Sequence, residues 1–463
     1  MTDTICAIST AAGIGAIAVV RVSGDEAFSI TDKIFRSFKG EKKLSNTPSH
    51  HFLYGQIVRT NGETVDEVVC SVFVAPHSFT GENSVEIACH GSIYIQQQIL
   101  QLLIDNGCRM AKAGEYTQRA FANGKMDLSQ AEAVADLIAS NSEASHRLAI
   151  KQMKGGFSRE LAKLRDSLLD FVSLIELELD FSEEEVEFAD RLKLITLVNE
   201  IKSKISSLAN SFKLGNAIKN GIPVAIVGET NVGKSTLLNW LLNEEKAIVS
   251  DVHGTTRDVI EDTMQLDGIL FRFIDTAGIR ETDDEVENLG IERTFRKMEE
   301  ASIVLLTIDS SYVIDEIRSF LDRYLPRVTG KKVAVLFNKK DIITASKRKD
   351  LEALPLPEGT VRLFISAKQD QNKQDLFDTL NHFAQADLQE EKSVIVTNMR
   401  HYEALNHAFE SINRVQEGLE NNISGDLLSN DIRDCMHYLG EITGEITNDD
   451  VLKNVFSKFC IGK

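Results

Sequence analysis

Apolar residues recur every three or four positions in four stretches of this chain, and each recurrence predicts an amphipathic helix. Leu161, Leu164, Leu168, Phe171, Ile175 and Leu179 form one stripe; Leu194, Val198, Ile201, Ile205, Leu208 and Phe212 form the next. Two more lie far downstream: Tyr402, Leu405, Phe409, Ile412 and Leu419, then Leu428, Ile432, Met436 and Leu439. Proline is all but absent from both flanks, so nothing interrupts these helices. Between the two pairs the period changes. Residues 223–227 and 335–337 are continuous apolar runs of the buried-strand kind, and residues 271–274 alternate like a strand. Ahead of residue 120, glycines at 13, 24, 55 and 62 separate β-rich runs such as 51–58 and 68–74. The reading is a multidomain α+β and α/β protein: an amino-terminal α+β domain over 1–120, helices over 121–217, an inserted α/β domain over 218–383, and helices again over 384–463. The flanking helices pack most economically as one discontinuous bundle, with two separate helical pieces as the alternative.

The inserted domain carries the chemistry. Residues 228–235 fit G-x-x-x-x-G-K-[ST], directly after a strand and directly before the helix that Thr236 opens. Small residues let backbone N–H groups of Asn231, Val232 and Gly233 close on phosphates, while Lys234 and the helix amino end supply positive potential. Ser235 is a Mg²⁺ ligand in such a loop. Farther on, a strand ends in Asn338-Lys339-Lys340-Asp341. Guanine shows two adjacent N–H donors that the Asp341 carboxylate can accept in parallel, and adenine does not, so this motif favours GTP. Ser366, Ala367 and Lys368 follow another strand and fit a loop that closes on the guanine carbonyl. Asp275, Thr276, Ala277 and Gly278 place a carboxylate near the metal and a glycine near the γ-phosphate. Thr255 and Thr256 are switch-like threonines that complete the Mg²⁺ shell.

Five such motifs in order, each at a strand end, resemble the Ras-like P-loop GTPase superfamily. Ile279 stands where the small signalling members place a water-orienting glutamine, and an aliphatic side chain cannot do that work. Asn231 together with the run Thr255-Thr256-Arg257-Asp258 resembles the potassium-activated members. That resemblance implies K⁺ held by Asn231, Ser250, Val252 and Thr255, replacing an arginine finger. It also selects Glu287, from the acidic stretch 281–287, to orient water; the plain alternative is a solvated acidic face. Arg257 and Arg280 are either fingers or switch-stabilising residues.

Composition narrows the remaining possibilities. At 463 residues the chain has room for about three domains. Its six cysteines show no metal-ligand spacing, which fits a reducing cytosol. The amino terminus lacks a signal-peptide charge pattern, and no stretch is apolar and long enough to cross a bilayer. A net charge of −19 opposes a broad nucleic-acid surface, so any RNA contact is confined to a patch or shared with a partner.

Residues 20–24, 78–83, 113–121, 125–133 and the terminal Cys460-Ile461-Gly462-Lys463 resemble, in order and along the whole chain, the MnmE (TrmE) tRNA-modification GTPases. The resemblance implies an amino-terminal domain that binds a tetrahydrofolate derivative (5-formyl or 5,10-methylene) and dimerises, a split helical domain, and an inserted K⁺-dependent G domain. It implies a homodimer that joins the FAD-dependent protein MnmG as a heterotetramer. Together they add aminomethyl-type groups to C5 of the wobble uridine of certain tRNAs. Folate contacts fall by motif on Arg21, Glu82, Lys125 and Lys463, and Cys460 becomes either a nucleophile toward uracil C6 or a structural thiol. The sequence departs from the family at Ser92, where a second glycine is common; a backbone position with positive φ would be strained there. Ribosome-assembly or signalling GTPases are the rival readings, although no basic RNA-binding module stands out.

Overall fold

The computed structural model describes residues 3–180, 191–242, 262–274, 295–296, 298–388, 394–421, 423–447, 449–457, 459 and 461–462. The chain divides into two compact units. One comprises Met1–Ile138, Lys151–Ile201 and His407–Lys463; the other comprises Ala139–Ile150 and Lys202–Asn406.

The first unit is built on a mixed sheet of β1 (Ile5–Ile8), β2 (Ile17–Ser23), β3 (Phe35–Ser37), β4 (His51–Val58), β5 (Thr64–Phe73), β6 (Ser84–His90) and β7 (Arg109–Met110), in the order β3-β4-β5-β6-β2-β1-β7. Strand β5 shows why one face is covered: Val68, Cys70 and Val72 are buried, while Glu67 and Val69, on the opposite face, are exposed. The buried set packs on the helices Ala27–Ile34 and Ile93–Asp105 through Ile30, Ile34, Ile99 and Leu103. Pairing of the β2 run with β6 is antiparallel and sets Arg21 opposite Glu86. Ser92 adopts φ −71° and ψ 131° as the residue before the helix Ile93–Asp105, so the positive φ feared at that position is not required. Gly91 is the constrained residue instead: a Cβ there would sit 2.3 Å from the Gly15 carbonyl oxygen.

Helices complete this unit. Leu161, Leu164, Leu168, Phe171 and Ile175 of the helix Gly156–Asp180 are all buried, and this helix packs against Gly425–Thr443. A helix that precedes the inserted domain therefore meets one that follows it, as a single interrupted bundle requires. The stripe on Gly425–Thr443 runs through Leu428, Ile432, Cys435, Leu439 and Ile442. Met436, assigned to it by spacing, is only half-buried. The step from residue 432 to 435 keeps the alternating four-three rhythm that holds one helix face inward. A smaller cluster joins Phe121, Leu128 and Ala131 to Val455, Phe456 and Phe459 near the carboxyl end.

The second unit is a three-layer α/β domain. Strands β8 (Ile222–Val227), β9 (Asp262–Leu266), β10 (Ile269–Phe273), β11 (Ile303–Asp309), β12 (Lys332–Asn338) and β13 (Val361–Phe364) lie in the order β13-β12-β11-β8-β10-β9. All neighbours are parallel except the β9–β10 hairpin, whose turn residues Asp267 and Gly268 both have positive φ. Strand β11 is buried at every position, as a strand covered on both faces must be. One face packs on Leu237, Leu241, Leu376 and Leu380, the other on Ile317, Phe320, Leu321 and Leu351. β8 lies between β11 and β10, so the carboxyl end of β8 opens at the point where the strand order reverses, where α/β sheets bind ligands.

Candidate functional site

The loop after β8 leads into the helix Lys234–Leu242, and its shape depends on glycine. Gly233 has φ +94°, and a Cβ there would lie 2.6 Å from Asn338 Nδ2. Gly228 would bring a Cβ to 2.3 Å from the Thr307 carbonyl oxygen. Asn231 is exposed with φ +60°, a conformation that asparagine tolerates better than most residues. The Lys234 ammonium donates to the carbonyls of Gly228 at 2.9 Å and Glu229 at 2.6 Å, so it lies over the loop that would cradle phosphates.

The base-reading residues hold this loop from the other side. Asn338 is buried at the end of β12; its Nδ2 donates to the Val232 carbonyl at 2.9 Å and its Oδ1 accepts from the Ala367 amide at 3.2 Å. Lys339 takes φ +61°, and its ammonium donates to the Asn231 carbonyl at 3.0 Å and to Asp309 Oδ2 at 2.6 Å. Ser366 closes its own turn by exchanging backbone hydrogen bonds with Gln371 and accepting at Oγ from the Gln369 amide. Asp341, Thr236 and Lys368 are exposed. Residues 231–236, 338–341 and 366–368 thus surround one site at the carboxyl edge of the sheet. Ser235, the Mg²⁺ candidate, stands in the first turn of the helix.

Ser250, Val252, Thr255, Thr256, Arg257, Asp275, Thr276, Ala277, Gly278, Arg280 and Glu287 lie outside the described residues, as do Cys460 and Lys463.

A second constellation occupies the first unit. Arg119 is 1 % exposed, and its guanidinium meets three carboxylates. Nη1 donates to Glu82 Oε1 at 3.1 Å and Oε2 at 3.2 Å, and Nη2 donates to Asp3 Oδ1 at 2.9 Å and Glu115 Oε1 at 3.0 Å. Arg109 makes a second fork on Glu115 at 2.6 and 3.0 Å and bonds Asp3 at 2.7 Å. Its hydrogen bond, outweighing partial burial, holds the Asp3 carboxyl down at about 2. Burial would raise Glu115, but Arg109, the Lys112 amide and Arg119 together leave it below the usual carboxylate range.

Arg21, Glu82 and Lys125 come together around residues 76–82. The Arg21 guanidinium lies 5.6 Å from the Phe79 ring centre and 5.5 Å from that of Tyr116, and it pairs with Glu86 at 2.7 Å. Glu82 accepts from Ser23 Oγ at 2.8 Å, two residues beyond Arg21 on the same face of β2. Lys125 donates to the Pro76 carbonyl at 3.0 Å, and its stem would touch a Cβ on Gly81. The carboxyl-terminal tail returns to the edge of β1. Ile461 bridges to Ala113, and Ser9 Oγ donates to the Gly462 carbonyl at 3.2 Å. Ala7 and Ile8, adjoining Ser9, are in register with Arg21 and Val20. Arg119, Arg109, Asp3 and Asp309 escaped the sequence reading; the one available signal was the helical four-residue spacing of Glu115 and Arg119.

A doubly covered, mostly parallel sheet with a glycine-rich phosphate loop after its central strand, fastened to an N-K-x-D segment, defines a P-loop GTPase of the Ras-like class. Residues 128–460 match the family model of the MnmE helical domain, and residues 4–125 that of the GTP-binding protein TrmE N-terminus. The tRNA modification GTPase MnmE of Bacteroides thetaiotaomicron is 60% identical over 465 residues, covering 100% of this chain and 99% of its own. That of Parabacteroides distasonis is 59% identical over 463 residues, with both chains fully covered. The relative from Flavobacterium johnsoniae is 52% identical over 468 residues, covering 100% of this chain and 99% of its own. Among solved structures, a crystal structure of Era with MgGDPNP and part of 16S ribosomal RNA is 29% identical over 41% of this chain and 66% of its own. Its TM-score is 0.27. The chain belongs to the MnmE family of tRNA modification GTPases.

Proposed function

We propose that this chain hydrolyses GTP in a K⁺-dependent reaction and, as a homodimer joined to an FAD-dependent MnmG partner, modifies C5 of the wobble uridine of certain tRNAs with a folate-borne one-carbon unit. The observation that carries the reading is the return of the tail to the amino-terminal domain. Gly462 sits against Ile8 and Ser9, beside the strand that bears Arg21. The return of Ile461 and Gly462 to β1, whose neighbour β2 bears Arg21, supports a reading in which the Cys460 thiol and a bound one-carbon carrier share a site.

The donor set fits the ligand. Arg21 and Lys125 offer cations to an anionic glutamate tail. Glu82 is 14% exposed and, although it already accepts from Arg119 and Ser23, a carboxylate has room for about four donors. Lys463 would add a further cation. In the G domain, Ser235 and Thr256 would hold Mg²⁺, and Asn231, Ser250, Val252 and Thr255 would hold K⁺. When bound, the two ions supply positive charge for the phosphate oxygens. Glu287 would orient the attacking water, with Arg257 and Arg280 steadying the switches.

The test uses the full-length protein in a strain lacking its own gene. Bulk tRNA from the deletion strain should lack the C5 modification and regain it on complementation; modification intact in the deletion strain refutes the reading and favours a ribosome-assembly or signalling role. Purified protein should hydrolyse GTP faster in potassium than in sodium buffer, and equal rates would remove the K⁺ assignment.

A further inference from the structure

The lysine of the N-K-x-D segment is held by a residue outside every GTPase motif. Asp309 ends β11 directly opposite Asn338 of β12, and its side chain is 5% exposed. One oxygen, Oδ1, accepts from the Ser311 amide at 2.9 Å and the Ser311 hydroxyl at 2.7 Å. The other, Oδ2, accepts from the Lys339 ammonium at 2.6 Å, and the same ammonium reaches the Asn231 carbonyl at 3.0 Å. Burial alone would raise the Asp309 carboxyl; Lys339 and Ser311 outweigh it and keep the group ionised.

Lysine is a long, flexible side chain that loses much rotamer freedom when fixed, and a free ammonium at the rim of a pocket would stay in water. Here its charged end is drawn inward past the base-reading residues to a buried anion. With the ammonium fixed between Asp309 and the Asn231 carbonyl, the apolar stem of Lys339 is left as a surface on which a planar base could lie. We propose that Asp309 is a positioning residue for guanine-nucleotide binding: by anchoring Lys339 it presents the lysine stem to the base and fixes the Asn231 carbonyl of the phosphate loop. The division of labour between its two oxygens separates this role from simple turn formation, because Oδ1 serves the Ser311 turn and Oδ2 serves Lys339.

Asp309→Asn is the matched perturbation, since asparagine keeps an acceptor for Ser311 and removes the charge facing Lys339. In titrations of the full chain with a fluorescent GDP analogue, Kd should rise about tenfold, the scale of losing a partly buried charge pair, and KM for GTP should rise more than kcat falls. In a Lys339→Met background the same change should leave Kd within about twofold, because the partner it acts through is gone. Lys339→Met alone strands a buried carboxylate, so adding Asp309→Asn should raise the melting temperature of that variant; this readout stands even if the single Asp309 variant folds poorly. An unchanged Kd in Asp309→Asn would overturn the proposal. So would an equal loss in the Lys339→Met background, or a double variant no more stable than Lys339→Met.

Discussion

Replacing Arg119 by methionine tests how far one buried guanidinium organises the amino-terminal unit. Methionine keeps much of the stem volume but leaves Asp3, Glu82 and Glu115 without their common partner. The three fare unequally. Asp3 and Glu115 retain Arg109, whereas Glu82 retains, among the described residues, the Ser23 hydroxyl at 2.8 Å. Glu115 is 4% exposed in its side chain and Arg119 1%, so solvent cannot replace the lost contacts. Removing one partner from a buried ion cluster costs about 3–5 kcal/mol, far more than the cluster contributes relative to apolar packing. In a unit of this size that corresponds to a fall in melting temperature on the order of 10 °C. The sign of the pH dependence follows from depressed carboxyl groups. Asp3 at about 2 and the lowered Glu115 lend stability that is fully present above their unfolded values near pH 4 and is lost as pH falls through the folded ones. The part of the Arg119→Met deficit carried by Glu115 and, less, by Asp3 should be fully present at neutral pH and narrow as pH falls from about 4 through their lowered folded values, since the Arg109 contacts are common to both proteins. Urea unfolding followed by circular dichroism at several pH values measures it. A loss under about 1 kcal/mol, or a deficit that does not change with pH, would show that the cluster is not the organising element.

Gly233→Ala forces a Cβ to 2.6 Å from Asn338 Nδ2 at φ +94°. The strain and the disturbed Asn338 hydrogen bonds together should weaken GDP binding by roughly 100-fold, measurable by isothermal titration, and wild-type affinity would contradict the described loop. Cys6, Cys70, Cys89, Cys108 and Cys435 are buried, and burial pushes Cys89 up to about 11 and Cys435 to about 12. At mildly alkaline pH a thiol reagent should leave these native thiols unmodified. Any fast labelling then belongs to Cys460 and should vanish in Cys460→Ser; fast labelling that survives the substitution would show that a buried thiol is reachable.

Much of this architecture could be read directly, for identifiable reasons. The run 51–58 coincides with β4 because alternation and a flanking turn fixed both its period and its ends. The helical stripes at 161–175 and 194–208 are buried throughout, whereas Phe212, assigned to the second stripe, is half-buried and opens the next helix, Phe212–Asn220. Met436 misled because two apolar residues adjoin and periodicity alone does not choose between them; the four-three rhythm from Ile432 to Leu439 favours Cys435. The P-loop and N-K-x-D motifs announce themselves because each is a short contiguous run with fixed spacing. Arg119 does not. Its partners Asp3, Glu82 and Glu115 come from three separate segments, and nothing in the sequence distinguishes a buried arginine from a solvated one until the sheet has formed. Asp309 was hidden for the same reason, since its partner Lys339 lies on the neighbouring strand's end.

The two halves of the nucleotide site are not independent. Asn338, at the end of a strand paired on both sides, holds the Val232 carbonyl with one end of its amide and the Ala367 amide with the other. Lys339 adds a third tie to the Asn231 carbonyl. The side chains expected to read the base are thus the ones that set the curvature of the loop expected to hold the phosphates. Ordering that loop is accomplished when the sheet folds, so nucleotide binding does not bear the cost of it. It follows that substitutions at the base end should weaken phosphate binding too. A triphosphate bearing a base that makes no contact with Asp341 should still lose affinity when Asn338 is changed, whereas a site made of two separate subsites would leave that affinity unaltered.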